Sequence, residues 1–231
     1  RLAPLNEEGY FVDKFDWITG RHVSEVADDI FADLEKKAAY DTLTGLYSNH
    51  MLLDFGHKTI SFAGRHNVDA SVLYVEIADI DALIETHGSK AVGTIVSTVA
   101  GLLEDSIRKE ELVAHLDDGR FAIVLPNTKA FMAHIVASRL KEAVEERIFT
   151  FDDIKVQVSL AVGLCSTEAN AKVSKIAFEE YCVHAAHALA ASLKTANKPD
   201  NTTREGKHYR TYDQVGKKAL HGHYIVHAIH V

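Results

Sequence analysis

The stretch ELVAHLDDGRFAIVLP, residues 111–126, has the pattern of two short strands joined by a tight turn. The flanking runs, residues 112–114 and 121–125, are apolar. Asp117, Asp118 and Gly119 lie between them, and Asp-Gly is a strong hairpin signal because the primed turns need residues that tolerate positive φ. The sequence therefore predicts a β-hairpin that turns at Asp118 and Gly119.

Helix and strand patterns alternate on both sides of this hairpin. Upstream, the patterns predict a helix over 49–64, a nearly all-apolar strand over 70–77, and helices over about 79–87 and 90–108. Downstream, they predict a helix from Thr128 to Arg147, a long strand over 153–165, a helix over 172–195 and a last strand near 208–213. Strands separated by helices, with one hairpin, predict an α/β fold in which helices cover both faces of a mixed sheet.

Composition is that of a soluble globular protein. The 231 residues are 47% apolar and 25% charged, which suits one domain with flanking pieces. A net charge of −8 argues against non-specific nucleic-acid binding. No run is long enough for a membrane span, and no signal peptide is visible. Cys165 and Cys182 have no metal-type spacing, so we expect a reducing, cytoplasmic location. Because the first residue is not Met, we also expect the chain to be a fragment of a longer protein.

Four sequence blocks resemble the GGDEF (diguanylate cyclase) family. DTLTGL (41–46) matches the family's opening Asp-x-Leu-Thr-Gly-Leu, and VLYVEIADIDALIETHG (72–88) aligns with its buried strand and following Asp-x-Asp-x-Phe-Lys motif. IRKEELVAHL (107–116) resembles the family's Arg-x-x-Asp-Leu-Val-Ala-Arg-Tyr run. Residues 117–121 read Asp-Asp-Gly-Arg-Phe where the family has Gly-Gly-Asp-Glu-Phe. The resemblance covers roughly residues 36–215 and implies a role in bacterial cyclic di-GMP signalling.

The resemblance also divides the chain. A degenerate GGDEF domain is expected over 41–215, and residues 1–22 are interpreted as the tail of an upstream region. Residues 23–40 are expected to form a signalling stalk helix that pairs two copies in a homodimer, although an amphipathic helix lying on its own domain fits equally well. Residues 216–231 are expected to be a linker or the start of a following domain. Their sequence resembles the opening of an EAL phosphodiesterase domain, and an added edge strand is the alternative.

Family cyclases hold metal ions with carboxylates on the first strand and on the hairpin, and the metals stabilise charge on the reacting phosphates. In this chain Glu76 replaces the first-strand Asp and is the one residual candidate metal ligand. Ala78 replaces the second Asp of the family's pair. On the hairpin, Gly119 stands where the family has its metal-binding acid. Arg120 stands where the family has the acidic neighbour of that residue. The resemblance therefore implies a degenerate motif without catalytic residues, formed by Asp117, Asp118, Gly119, Arg120 and Phe121. It also implies that the domain uses no cofactor, with Mg²⁺ required only if some cyclase activity remains.

Guanine recognition is altered as well. Ile84 and Gly93 occupy the positions at which the family reads the base. Asp81 replaces the family's Lys in the loop between strand and helix. Ile84 cannot hydrogen-bond a base edge, and base specificity depends on such bonds. We expect no turnover of GTP.

A second family site, at which many members bind their product, is partly retained. Arg108 and Glu111 occupy the Arg-x-x-Asp positions before the hairpin, and Arg139 lies where a further Arg belongs. A guanidinium group suits phosphate and guanine. The alternative is that Arg108 and Glu111 form only a solvated ion pair.

Histidines offer weaker metal patterns. Glu180, His184 and His187 share one helix face, and His221, His223 and His227 share one side of a strand in the tail. Both sets are more typical of solvated or core-edge side chains than of a metal site.

Three hypotheses about function follow. The first is a non-catalytic regulatory or receptor module that binds cyclic di-GMP at Arg108, Glu111 and Arg139. The second is a ligand-free scaffold that controls an adjacent or partner GGDEF or EAL domain, and the third is a weakly active cyclase.

Overall fold

The computed structural model describes residues 15–16, 21–22, 39–151, 154–167, 177–196, 210–211 and 224–229. It divides the chain into two units, residues 1–40 and 41–231. In the first unit, strands β1 (Phe15–Asp16) and β2 (Arg21–His22) pair antiparallel. The expected stalk helix over 23–40 lies, up to residue 38, outside the described residues and stays a prediction.

The second unit contains the hairpin and its supporting sheet. Its helices are α1 (Asn49–His66), α2 (Ile80–Asp105), α3 (Ala130–Glu145) and α4 (Phe178–Ala196). Its strands are β3 (Ala70–Ile77), β4 (Leu112–Asp117), β5 (Arg120–Pro126), β6 (Phe149–Phe151), β7 (Ile154–Val156), β8 (Leu160–Thr167), β9 (Arg210–Thr211) and β10 (Tyr224–Ile229). Six strands form one sheet in the order β4-β5-β3-β8-β10-β9, while β6 and β7 form a separate ribbon.

The predicted α/β class is confirmed, with a correction to the strand directions. Every neighbouring pair in the six-stranded sheet is antiparallel. The mixed sheet that we expected is reduced to one isolated parallel bridge between Tyr47 and Ala114 among the described residues. The strands that a helix joins, β3 with β4 and β5 with β8, run in the same direction but are separated in the sheet by an antiparallel strand. A pattern of alternating elements does not reveal this interleaving.

The central strand β3 explains why residues 70–77 are so apolar. Leu73, Val75 and Ile77 pack into a core formed with α2 and α3 on one face. Ala70 and Val72 pack into a second core formed with α1 and α4 on the other face. A strand covered on both faces has no side that favours polar residues.

Helix boundaries follow local signals in the sequence. Ser48 caps α1, its hydroxyl accepting a hydrogen bond from the amide of Met51 at 3.4 Å. α1 ends at Asn67, which has a left-handed backbone with φ of 53°. α2 is interrupted at Gly88, where φ is 81° and ψ is 158°. This break divides α2 where the sequence predicted two helices.

The long strand predicted over 153–165 is wrong in detail. β7 pairs with β6 outside the main sheet, and β8 begins at Leu160 beside β3. Val156, Val158 and Leu160 are all buried, so the apolar alternation continues across the change of partner and hides it. The carbonyl of Ser159 accepts a hydrogen bond from the amide of Ala78 at 2.9 Å, which joins the chain to the end of β3.

The end of the chain adds to the sheet. β9 lies within the strand predicted near 208–213. β10 pairs with β8 from Tyr224 opposite Thr167 to Ile229 opposite Val162, and β9 lies outside it. This is the added-strand alternative, except that β10 is an inner strand instead of the edge. Among the described residues, no helix has both the length and the apolarity that crossing a bilayer requires.

Candidate functional site at the 117–121 hairpin

The hairpin turn forms as the sequence predicted. Asp118 and Gly119 have φ values of 30° and 77°, both in the left-handed region that a primed turn requires. Asp117 and Arg120 are opposite each other at the ends of β4 and β5. The carbonyl of Gly119 accepts a hydrogen bond from the amide of Ile77 at 3.1 Å, which fixes the turn beside the end of β3.

A side chain at Gly119 would have to displace the end of the Ile80 side chain. A Cβ atom built there would lie 2.3 Å from Cδ1 of Ile80 and 3.4 Å from Cδ1 of Ile77. The first distance is well inside van der Waals contact, and the neighbouring atom belongs to a side chain buried in the core. The space that a carboxylate at this position would enter is therefore filled by an aliphatic group.

The guanidinium of Arg120 is held by a carboxylate of the same hairpin. Its Nε and Nη2 atoms donate to the two oxygens of Asp117 at 2.5 and 2.6 Å, a bidentate arrangement. Glu76 on β3 is the cross-strand neighbour of Arg120. The hydrogen bond to Asp117 raises the pKa of Arg120, and the negative charges of Asp117, Glu76 and Asp118 add to this against the opposing effect of burial. Arg120 is thus a fixed cation surrounded by acids.

Glu76, the residual candidate metal ligand, is less readily ionised than an exposed glutamate. Burial raises its pKa, the cation of Arg120 opposes this rise, and the negative charges of Asp117 and Asp81 add to it. Among the described residues, no three His, Cys, Asp or Glu side chains are grouped so that they could hold a metal ion. The arrangement places the cation of Arg120 next to Glu76.

The two positions expected to recognise the guanine base carry no polar side chain that could hydrogen-bond it. Ile84 packs against the core on α2. Gly93, also on α2, has open space with only Leu43 within 4 Å of a built Cβ. Asp81 is exposed in the first turn of α2, near the acidic end of β3.

Arg108, Glu111 and Arg139 meet around the loop between α2 and β4. The Glu111 carboxylate is buried and accepts a hydrogen bond from the backbone amide of Arg108 at 2.7 Å, while the Glu111 amide donates to the Arg108 carbonyl at 3.0 Å. Nη2 of Arg139 donates to the carbonyl of Ser106 at 2.5 Å. The structure therefore gathers these three residues at one loop, but Glu111 holds the loop closed and does not pair with the Arg108 guanidinium.

The guanidinium of Arg108 remains available. Its side chain is 66% exposed and makes an ionic contact with Glu110 at 4.0 Å. An exposed pair at that distance contributes about 0–1 kcal/mol and is readily exchanged. A cavity of about 200 Å³ lies beside the loop, with Tyr47, Lys109 and Glu111 among its lining residues.

The histidine patterns do not assemble into a metal site within the described residues. On α4, the rings of His184 and His187 are 6.4 Å apart, edge to face. Burial lowers the pKa of His184, the charge of His187 lowers it further, and Glu180 opposes the shift. His221 and His223 lie outside the described residues, and of His227 only the backbone in β10 is described.

The sequence did not indicate that Asp41 pairs with His115. Nδ1 of His115 and Oδ1 of Asp41 are 3.0 Å apart in a mostly buried setting. Asp41 begins the DTLTGL block and His115 lies in the 107–116 block where the resembled family has Arg. That replacement was a signal, but a contact between segments so distant in sequence cannot be deduced from either segment alone.

The fold and hairpin define the class of the protein: an α/β domain whose central antiparallel sheet presents a β-turn beside the end of its first long strand. The family profile described as "Diguanylate cyclase, GGDEF domain" matches residues 38–198. The chain therefore belongs to the GGDEF domain family.

Individual relatives are distant. Diguanylate cyclase A of Treponema denticola is 28% identical over 108 residues, which are 47% of this chain and 29% of that protein. The chain thus spans less than a third of that relative.

Solved structures support the fold. The coiled coil and GGDEF domain of DgcB from Caulobacter crescentus, in complex with c-di-GMP, matches with a TM-score of 0.67 and 15% identity over 76% of this chain and 90% of that one. Diguanylate cyclase SiaD of Pseudomonas aeruginosa, in complex with its activator SiaC, matches with a TM-score of 0.64 and 19% identity over 75% and 65% of the two chains.

Proposed function

We propose that this GGDEF domain is a non-catalytic regulatory module of cyclic di-GMP signalling. The observation that carries the proposal is the hairpin, where Ile80 fills the space at Gly119 and Arg120 provides the positive charge next to Glu76. A reaction that depends on metal ions to stabilise phosphate charge would find no group of three metal-binding side chains in the described part of the chain. Asp81, Asp117 and Asp118 would also repel a triphosphate that no metal neutralises.

We further propose that the domain binds cyclic di-GMP at Arg108, Glu111 and Arg139. Glu111 would act by holding the loop, since its carboxylate is already bonded to the Arg108 amide. Arg108 would supply a free guanidinium, and Arg139 uses one of its five donors on Ser106 and has others to offer. The DgcB structure, which was determined in complex with c-di-GMP, is consistent with a ligand of this class.

The ligand would lie on an open surface. The cavity at the loop, about 200 Å³, is smaller than the roughly 300–1,000 Å³ of pockets that enclose a ligand. Recognition would therefore depend on the forked contacts of the two arginines with phosphate and guanine.

The proposal also includes the setting of the domain. We place it in the cytoplasm, in agreement with two free, buried cysteines. Its partners would be adjacent or partner GGDEF or EAL domains, and a homodimer through residues 23–40 stays part of the proposal.

Isothermal titration with cyclic di-GMP tests the binding site. We expect binding by the wild type and a loss of at least about ten-fold in affinity in Arg108→Ala and in Arg139→Ala, equivalent to about 1.4 kcal/mol each. Arg65→Ala, which removes an exposed arginine on α1, is the matched control and should bind like the wild type. Unchanged binding in both loop variants would refute the site, and absence of binding in the wild type would favour the ligand-free scaffold.

Incubation with GTP and Mn²⁺ tests the loss of catalysis. We expect no cyclic dinucleotide from the wild type over a long incubation at high protein concentration. Product that disappears in Glu76→Gln would show that the weakly active cyclase is the correct hypothesis.

A further inference from the structure

Asp41 and His115 form a mostly buried pair between the arginine loop and the hairpin turn. Nδ1 of His115 lies 3.0 Å from Oδ1 of Asp41, and the two side chains are 8% and 27% exposed. The same oxygen of Asp41 accepts from the Thr44 amide at 2.8 Å and the Thr44 hydroxyl at 2.7 Å. Nε2 of His115 is buried and has no hydrogen-bond partner in the described part of the chain.

The pair joins two segments that also share backbone hydrogen bonds. The amide of Tyr47 donates to the Val113 carbonyl at 3.3 Å, and the amide of His115 donates to the Tyr47 carbonyl at 2.9 Å. Residues 41–47 are therefore held on β4 by a short backbone bridge at one end and by the Asp41–His115 pair at the other. β4 begins directly after Glu111 and ends at the hairpin turn, so this joint lies between both proposed regions of the domain.

The charge on this joint depends on one imidazole. Histidine is the side chain that ordinarily gains and loses a proton between pH 5 and 8. Asp41 stays ionised across that range. Burial acts to raise the pKa of Asp41, but hydrogen bonds from Thr44 and the charge and hydrogen bond of His115 outweigh it and leave the pKa below its ordinary value.

The other groups around the imidazole do not replace it as the source of charge. From β5, the neighbour is the Phe121 ring, 5.3 Å away between centroids. From α2, the Ser97 hydroxyl donates to the Leu43 carbonyl of the turn. The nearest charges along the hairpin, Asp117 and Arg120, are paired with each other. His115 is the one charged group that acts on the Asp41 carboxyl in the described residues.

We propose that Asp41 and His115 form a proton-sensitive clasp, which holds residues 41–47 on β4 more tightly when His115 is protonated. The neutral imidazole donates an ordinary hydrogen bond from Nδ1–H, whereas the imidazolium adds a charge-assisted one in a partly buried site. The difference between a charged and a neutral hydrogen bond corresponds to a coupling about five-fold stronger in the equilibrium constant.

A double-mutant cycle measures this coupling. Asp41→Asn keeps the oxygen that Thr44 uses and removes the charge, and His115→Gln keeps a neutral donor. Urea unfolding of the wild type, both single variants and the double variant at pH 5.5 and pH 8.0 gives the coupling at each pH. We expect the coupling factor at pH 5.5 to exceed that at pH 8.0 by about five-fold.

His115→Arg is the matched control, because an arginine keeps its charge over this range. A double-mutant cycle that combines His115→Arg with Asp41→Asn measures the coupling between Asp41 and this arginine. That coupling should be the same at both pH values. Equal coupling at both pH values in the wild-type cycle would overturn the proposal.

A measurement on the folded wild type keeps the test independent of variant stability. We expect the amide resonances of residues 44–47 to shift with pH in step with the His115 ring resonances in NMR titration. Ring resonances that titrate while those amides stay unchanged would also overturn the proposal.

Discussion

Gly119 shows how one residue decides what the hairpin can bind. Its φ of 77° and the Ile80 methyl at 2.3 Å from a built Cβ act against any side chain there. We predict that Gly119→Asp, which restores an acid on the hairpin, destabilises the domain by about 1–3 kcal/mol through overpacking and restores no cyclase activity. Urea unfolding and incubation with GTP and Mn²⁺ measure the two outcomes.

Gly93→Asp is the control for that substitution. It places the same side chain where only Leu43 lies within 4 Å, so the fold should be retained with little change in stability. Cyclic dinucleotide produced by Gly119→Asp alone would contradict the prediction.

Arg120 controls the ionisation of Glu76. Because its cation opposes the rise in the Glu76 pKa, we predict that Arg120→Gln raises that pKa further. A carboxyl with a raised pKa in the folded state stabilises folding below its unfolded pKa and loses this contribution as pH rises through the folded pKa. The variant should therefore lose more stability than the wild type between acidic and neutral pH.

Carbon-detected NMR of the Glu76 carboxyl, with urea unfolding across the same pH range, tests this shift. Lys58→Gln is the matched control, since it removes an exposed partner of Asp54 and should change stability by no more than about 1 kcal/mol. A Glu76 pKa that falls in Arg120→Gln would contradict the account.

At the scale of elements, local signals predicted most of the fold. β3 over 70–77, the hairpin and its turn, and the break between two helices at Gly88 all follow from residues close together in sequence. The division of the 153–165 strand and the antiparallel directions could not be predicted in that way, because pairing depends on which distant strand is adjacent. The Asp41–His115 contact was missed for the same reason.

The packing of α4 on the sheet depends on a glycine that no pattern singled out. A Cβ atom on Gly163 of β8 would lie 2.1 Å from the Ala185 carbonyl oxygen and 2.3 Å from the Leu189 amide nitrogen, both backbone atoms of α4. We predict that Gly163→Ala destabilises the domain by about 3 kcal/mol or more, since backbone atoms cannot rotate away as side chains do. Equilibrium unfolding in urea measures the loss.

Gly101→Ala provides the comparison, because nothing lies within 4 Å of its built Cβ in α2. It should stabilise the helix by about 0.5–1 kcal/mol. Equal stability of Gly163→Ala and the wild type would mean that α4 is not in close contact with β8.

At the scale of the whole molecule, the end of the chain distinguishes two accounts of residues 216–231. If they only begin a following domain, the 41–215 domain should fold unchanged without them. If β10 is an inner strand, its removal exposes the hydrogen-bonding groups of β8 along the row from Val162 to Thr167. An uncovered strand edge is a site of instability and aggregation.

We predict that truncation after residue 215 lowers the unfolding temperature by several degrees and promotes association. Differential scanning calorimetry and light scattering measure both effects. Val226→Pro in the full chain provides a second test, since proline has no backbone N–H to donate and is disfavoured in an inner strand. A truncated chain with the same association state and unfolding temperature as the full chain would show that the domain ends before β10.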